Sequence, residues 1–191
     1  NLTLYPDKAV LEQEAILVNR TNHPKIHIWF ANASVQDEPD LRFIYPARSA
    51  YSAPDKIMTY PIHEGIDKSL ARNIHHAQSI FVRGVRRDFF GTYFTKGNHG
   101  VVHVADYHEV PGKKIWHWGQ GDDGQRWVDI LTDPPSKQYA EIQSGRQTSE
   151  WDYEFLAPQK VEHLLEYWYP IRDMGNFVFA NRELSINLEI I

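Results

Sequence analysis

The 191-residue sequence contains no cysteine. That excludes a disulfide framework, a thiol nucleophile and a thiolate-bound metal. It also lacks any apolar run of about eighteen residues, so no membrane-spanning helix is expected. No glycine-rich phosphate loop and no H-E-x-x-H pair is present. Acidic residues outnumber basic ones, 25 to 20, giving a formal net charge of −5. This balance argues against a track for nucleic-acid phosphates. The densest basic spot, Arg83, Arg86 and Arg87, is short and is followed by Asp88. There is no internal repeat, no low-complexity tract and no visible signal peptide. The chain begins at Asn1 without Met, which reads as an excised domain or processed fragment and leaves the compartment open.

Aromatic residues are abundant, at 13% with six Trp and ten Tyr. Some must pack a core, and enough remain for a binding surface. Length and apolar content suit one β-sandwich domain over 1–191. The patterning reads as nearly all β. An alternating segment at Ala9–Arg20 and another at Lys25–Ala33, joined by a polar turn with Pro24, read as a hairpin. Gln78–Val82 and Phe89–Thr95 read as strands around a tight turn. Further strands are expected at Leu41–Pro46, Gly100–Tyr107, Lys113–Trp118, Gln138–Gln143, His163–Pro170 and Ser185–Ile190. Asp67–Ala77 reads as one helical turn or irregular structure. Only Pro158–Leu165 and Asp173–Asn181 offer a weak helix option. Short strands at this spacing with Gly, Pro and Asp turns mean a sandwich or a barrel. The terminal strand Leu184–Ile191 has two expected partners, the N-terminal strand or a domain outside the chain. Exposed terminal strands would also allow a homodimer.

The segment Val102–Arg146 gathers three Trp, three His and several carboxylates. Trp, Tyr, His, Asp and Arg between short strands are what a sugar-binding face requires, because sugar C–H faces stack on indoles. Several blocks then resemble a family of uncharacterised bacterial proteins, DUF5107, within the galactose-mutarotase-like class, often joined to tetratricopeptide repeats. They are LRFIYP at Leu41–Pro46, His63–Ser69, HVAD at His103–Asp106 and PGKKIWHWG at Pro111–Gly119. Gly124–Asp133 with WVDILTD, YAEIQSGR at Tyr139–Arg146 and YWYPI at Tyr167–Ile171 complete the likeness. The resemblance implies an all-β, galactose-mutarotase-like β-sandwich (supersandwich) that binds carbohydrate in a groove across one sheet. A full supersandwich is longer than this chain, which leaves room for the sandwich to be incomplete and for a covalently linked repeat region beyond it. In that wider class, aldose epimerases use a His as acid and a Glu as base on the sheet face.

Glu141 and Gln143, two apart on a strand, share one face. Glu141 is the candidate base, or else an acceptor for sugar hydroxyls, and Arg146 would orient a carboxylate or a hydroxyl. His103, with an ordinary pKa near neutrality, is the candidate acid; the blander reading is a silent, hydrogen-bonded core histidine. Trp116 and Trp118 would share a face as a core layer or a stacking platform, with His117 opposite, and the sequence does not say which side meets a groove. Trp127 is a further candidate contact. His63 and Glu64 would stand at a groove rim, and Asp106 or Glu64 could pair with Glu141 as two carboxylates around a glycosidic bond. No metal site is expected; a loose Ca²⁺ loop at Gly121–Gly124 and a zinc site among His63, Glu64, His75 and His76 both lack the required spacing. No cofactor is implied. Arg83, Arg86 and Arg87 could receive an acidic sugar or a phosphate, or be ordinary solvated residues. The expected partner is therefore carbohydrate, handled by an epimerase-like or glycoside-processing enzyme through general acid/base chemistry. The alternatives are a non-catalytic carbohydrate-binding module and a structural or interaction domain attached to repeats.

Overall fold

A computed structural model describes residues 1–54, 56–133, 135 and 137–188. The strands in chain order are β1 (Leu2–Tyr5), β2 (Lys8–Val18), β3 (Lys25–His27), β4 (Phe30–Gln36), β5 (Leu41–Ile44) and β6 (Ser49–Ala53). Then follow β7 (Lys56–Thr59), the small hairpin β8 (Ile62–His63) and β9 (Ile66–Asp67), β10 (Gln78–Arg83), β11 (Phe89–Phe94) and β12 (His99–Ala105). Next come β13 (Gly112–His117), helix α1 (Asp122–Leu131), β14 (Tyr139–Gly145), β15 (Glu154–Leu156), β16 (Val161–Arg172), β17 (Phe179–Ala180) and β18 (Ser185–Ile186). Two six-stranded sheets carry the fold, ordered β1-β2-β16-β12-β11-β5 and β4-β14-β13-β10-β6-β7. They pack face to face as an open sandwich. Their neighbouring strands pair antiparallel throughout.

The alternation of each strand decides which residues enter the core. In the second sheet, Ile115 faces Ile142 and Ile80 across the register, and all three are buried. They meet Phe43, Phe90 and Trp168 of the first sheet in the main core. The opposite face of the first sheet is also covered. There Phe89, Val102, Val104 and Tyr169 pack under Phe177 and Ala180 of the C-terminal segment. The Tyr169 hydroxyl secures that segment by donating to the Asn181 carbonyl at 2.7 Å.

Four expectations need correction. β2 pairs with β1 and β16, whereas Lys25–His27 pairs with β15 and Phe30–Gln36 with β14, so the expected hairpin does not form. Alternation fixes a strand's two faces but not its partner. β10 and β11 lie in different sheets, and the turn between them carries the chain across the sandwich. Helix α1 occupies Asp122–Leu131, where the pattern offers no helix; the expected helix options instead give β16 and irregular chain ending in β17. β18 pairs with β17 rather than with the N-terminal strand, and residues 189–191 of the expected last strand lie outside the described residues. Among the described residues no helix is long and apolar enough to cross a membrane.

The helix start explains why it escaped the pattern. Gly121 is the N-cap, and Asp122 and Asp123 fill the first turn, where the helix dipole favours negative charge. Gly124 stands against the turn after β13, where a Cβ would collide with the Gly119 carbonyl. The same Gly-Asp-Asp-Gly composition is equally typical of an exposed turn.

Candidate functional site

The outward face of the second sheet gathers part of the expected site. Glu141 on β14 stands directly opposite Trp116 on β13, so both project away from the core, and Gln143 stands opposite Lys114 on the same face. Asn32 of β4 joins them, because it pairs with Gln143. The Asn32 side-chain amide donates to Glu141 Oε2 at 2.7 Å, and the Gln143 amide donates to the same oxygen at 3.2 Å. A carboxylate held by two amides is oriented for accepting further hydrogen bonds. Asn32, not singled out from the sequence, is thus a member of this cluster; its alternation with Ser34 across from YAEIQ was the available signal.

Four polar groups of this face have no hydrogen-bond partner among the described residues: Arg83 Nε, Lys114 Nζ, Trp116 Nε1 and Gln143 Oε1. Buried polar atoms are normally satisfied, so these four are open to hydrogen bonds from water or a ligand; others of the same kind, among them Lys113 Nζ and His103 Nδ1, lie between the sheets. Lys114 is fully buried, with its amine 3.5 Å from the Phe30 ring centroid. Burial pushes its pKa down to about 7, against the opposing charges of Glu166, Asp152 and Glu150. Trp151 closes over Phe81 at a ring separation of 4.8 Å and roofs the middle of the face.

Trp118 lies past the end of β13 and therefore does not repeat the Trp116 position. It packs instead against Trp127 of α1, tilted, at 4.9 Å and meets Tyr139 edge-on. A cavity of about 160 Å³ lined by Ala77–Ser79 and Trp116–Trp118 opens beside this aromatic group.

His103 and His117 point inward. His103 is fully buried between the rings of Phe90 and Trp168, with Nε2 2.8 Å from Glu166 Oε2. Glu166 also accepts hydrogen bonds from Trp29 Nε1 at 2.9 Å and from the Ser144 hydroxyl. Burial opposes ionisation of Glu166, but these donors outweigh it and hold its pKa below the ordinary carboxylate value. Burial lowers the His103 pKa, with Glu166 pulling the other way. Lys113 enters the interior opposite Ser144, and burial depresses its pKa to about 8. His117 Nε2 sits 2.9 Å from Asp37 Oδ2, and its Nδ1 accepts the Gly119 N–H. The expected acid–base pair of Glu141 and His103 is not brought together, because β14 turns Glu141 outward and β12 turns His103 into the sandwich. Glu166, part of the YWYPI neighbourhood, was not singled out from the sequence.

The remaining candidates sit apart. Arg146 binds Glu154 at 2.8 Å and Glu162 at 3.2 Å, and donates to the carbonyls of His108 and Glu109. It makes a structural tie and does not orient Glu141. Its partners Glu154 and Glu162 form, with His27, a group of spacing suited to a metal. Arg146 already neutralises both carboxylates there, so a cation would have to displace it. Asp106 caps the turn after β12, where the backbone N–H and then the side chain of His108 hold its pKa low. His63 and Glu64 occupy the tip of the β8–β9 hairpin, with Glu64 and Gly65 both at positive φ.

Known structures share this architecture. A TPR-domain containing protein from Parabacteroides distasonis matches all of this chain over 32% of its own length, with a TM-score of 0.78 and 23% identity. A galactose mutarotase related enzyme from Lactobacillus acidophilus matches 89% of the chain over 59% of its own, with a TM-score of 0.57 and 15% identity. A galactose mutarotase-like protein from Clostridium acetobutylicum gives 85% and 53%, with a TM-score of 0.51 and 11% identity. At these identities the likeness establishes a galactose-mutarotase-like β-sandwich fold, and the chain spans less than two thirds of each of these proteins. A family model described as a domain of unknown function, DUF5107, matches residues 1–171, and the chain belongs to that family.

Proposed function

We propose that the outward face of the second sheet binds carbohydrate and that this chain by itself does not turn it over. The observation that carries this reading is the setting of Glu141. Its hydrogen bonds among the described residues come from the amides of Asn32 and Gln143, beside the Trp116 indole. That composition suits hydroxyl recognition with ring stacking. Anomer exchange would need an acid on the far side of the sugar, and the histidine expected for that task lies between the sheets. Kinship with proteins named for galactose mutarotase supports a sugar as ligand.

A second reading, a structural or interaction domain linked to tetratricopeptide repeats, is favoured by the match of all of this chain to 32% of the TPR-domain containing protein. Titration with mono- and oligosaccharides, followed by Trp fluorescence, separates the two. NMR of anomer exchange on the same samples tests turnover. Binding without exchange, weakened by Glu141→Gln, is the expected result. Faster exchange abolished by that variant would replace the binding role with catalysis, and no binding of any sugar would leave the interaction domain.

A further inference from the structure

A second polar cavity lies at the Arg83 end of β10, in the loops after β5 and β10. It has about 520 Å³ and is lined by Pro46–Ser49, Arg83, Gly84, Arg86 and Arg87. Four of the chain's 20 basic residues therefore converge on one cavity of a protein whose net charge is −5. Among the described residues, Arg83 alone of these four has an acidic partner, Asp152, at 3.8 Å. Arg48, Arg86 and Arg87 are exposed and make no ion pair or side-chain hydrogen bond among the described residues. Arg83 lies over the Tyr51 ring at 4.2 Å, which restrains its guanidinium, and its Nε is buried without a partner. Gly84 turns the chain at positive φ and brings Arg86 and Arg87 back toward Arg83, while Val85 anchors the turn in the core.

Like charges gathered around a cavity repel one another and raise the local potential for an anion. Guanidinium groups present paired N–H donors that match the oxygens of carboxylate and phosphate. We propose that this cavity is an oxyanion-binding site, taking a phosphate monoester or a carboxylate borne by a small polar molecule. The site adjoins the Glu141 face through Arg83, which belongs to both, but does not depend on the carbohydrate reading of that face.

The test is calorimetric titration of the intact chain with inorganic phosphate, a hexose phosphate, a hexuronate and the neutral hexose. The two charged sugars distinguish a phosphate from a carboxylate source. At least one anion should bind about tenfold or more tightly than the neutral hexose, and its affinity should fall with added salt. The double variant Arg86→Gln/Arg87→Gln, at exposed positions, should lose about tenfold while its circular dichroism stays unchanged. Arg83→Gln should lose more. Equal affinity for neutral and charged sugars, anion binding unaltered in the double variant, or no anion binding at all would each overturn the proposal. The double variant at Arg86 and Arg87 leaves the Glu141 face intact, so sugar binding there is read separately by Glu141→Gln.

Discussion

The outward face of the first sheet is closed by Phe177 and Ala180 over Phe89, Val102, Val104 and Tyr169, whereas that of the second carries Glu141, Gln143, Trp116, Lys114 and Arg83. Both faces belong to six-stranded antiparallel sheets with the same inward alternation. The first is apolar because a later part of the chain covers it. The second keeps polar groups without partners, a state that is costly unless water or a ligand supplies the missing bonds. The C-terminal cap covers the first face, whereas on the second Trp151 covers Phe81 and leaves Glu141 and Trp116 partly exposed.

The largest effect should come from the interior that separates these faces. Glu166→Ala removes the acceptor shared by His103, Ser144 and Trp29, and should lower stability by about 3–5 kcal/mol. Urea unfolding measures it; a loss below about 1 kcal/mol would mean that the interior relaxes around the vacancy. On the capped face, Phe177→Ala should cost about 3 kcal/mol, at the lower end for a buried Phe because the cap is a surface segment. Proteolysis within 174–188 should accelerate in the same variant, whereas an unchanged cleavage pattern would show that the cap is held by the Tyr169 hydroxyl rather than by packing.

Acidity gives a graded test. The lowered His103 pKa means that its neutral form is favoured on folding, so stability falls as pH drops below the ordinary imidazole value of 6.5. The lowered Glu166 pKa adds a further loss as pH falls below 4.5 toward its folded value. Lys113 and Lys114, depressed to about 8 and about 7, disfavour their charged forms and contribute more as pH rises toward the ordinary lysine value of 10.5. All four groups act in one direction. The urea midpoint should therefore be higher at pH 9 than at pH 6, and a flat or falling profile would contradict these shifts. The smallest stability effect should be at the polar face itself. Glu141→Gln should change stability by no more than about 0.5 kcal/mol, and a cost comparable to that of Glu166→Ala would make Glu141 a structural residue.

Much of the fold was legible residue by residue. Ile115, Ile142 and Ile80 alternate with Trp116, Gln143 and Phe81, and those alternations assigned strands whose ends shifted by only a residue or two in β12, β13 and β14. The partnership of strands was not legible. Lys25–Ala33 divides at Ile28-Trp29 between a two-stranded ribbon with β15 and an edge of the second sheet. Nothing local encodes that division, because the partners lie more than a hundred residues away. The site was legible in part for the same reason. Glu141, Gln143 and Trp116 share a face by strand periodicity alone, while Asn32 joins them only through the pairing of β4 with β14. Arg146 looked like a partner of Glu141 in sequence, yet the bend after Gly145 sends it to Glu154 and Glu162.

Composition and alternation by themselves determined a predominantly β chain without thiol chemistry, rich in aromatic residues and with an excess of negative charge. These follow from residue type and a two-residue period, which act locally. Tertiary structure alone decided that His103 is sealed against Glu166 while Glu141 faces outward, that the C-terminal segment covers one sheet, and that four arginines meet around one cavity. Each depends on which strands lie side by side and which sheet faces which, and those choices are made by burial summed over the whole chain.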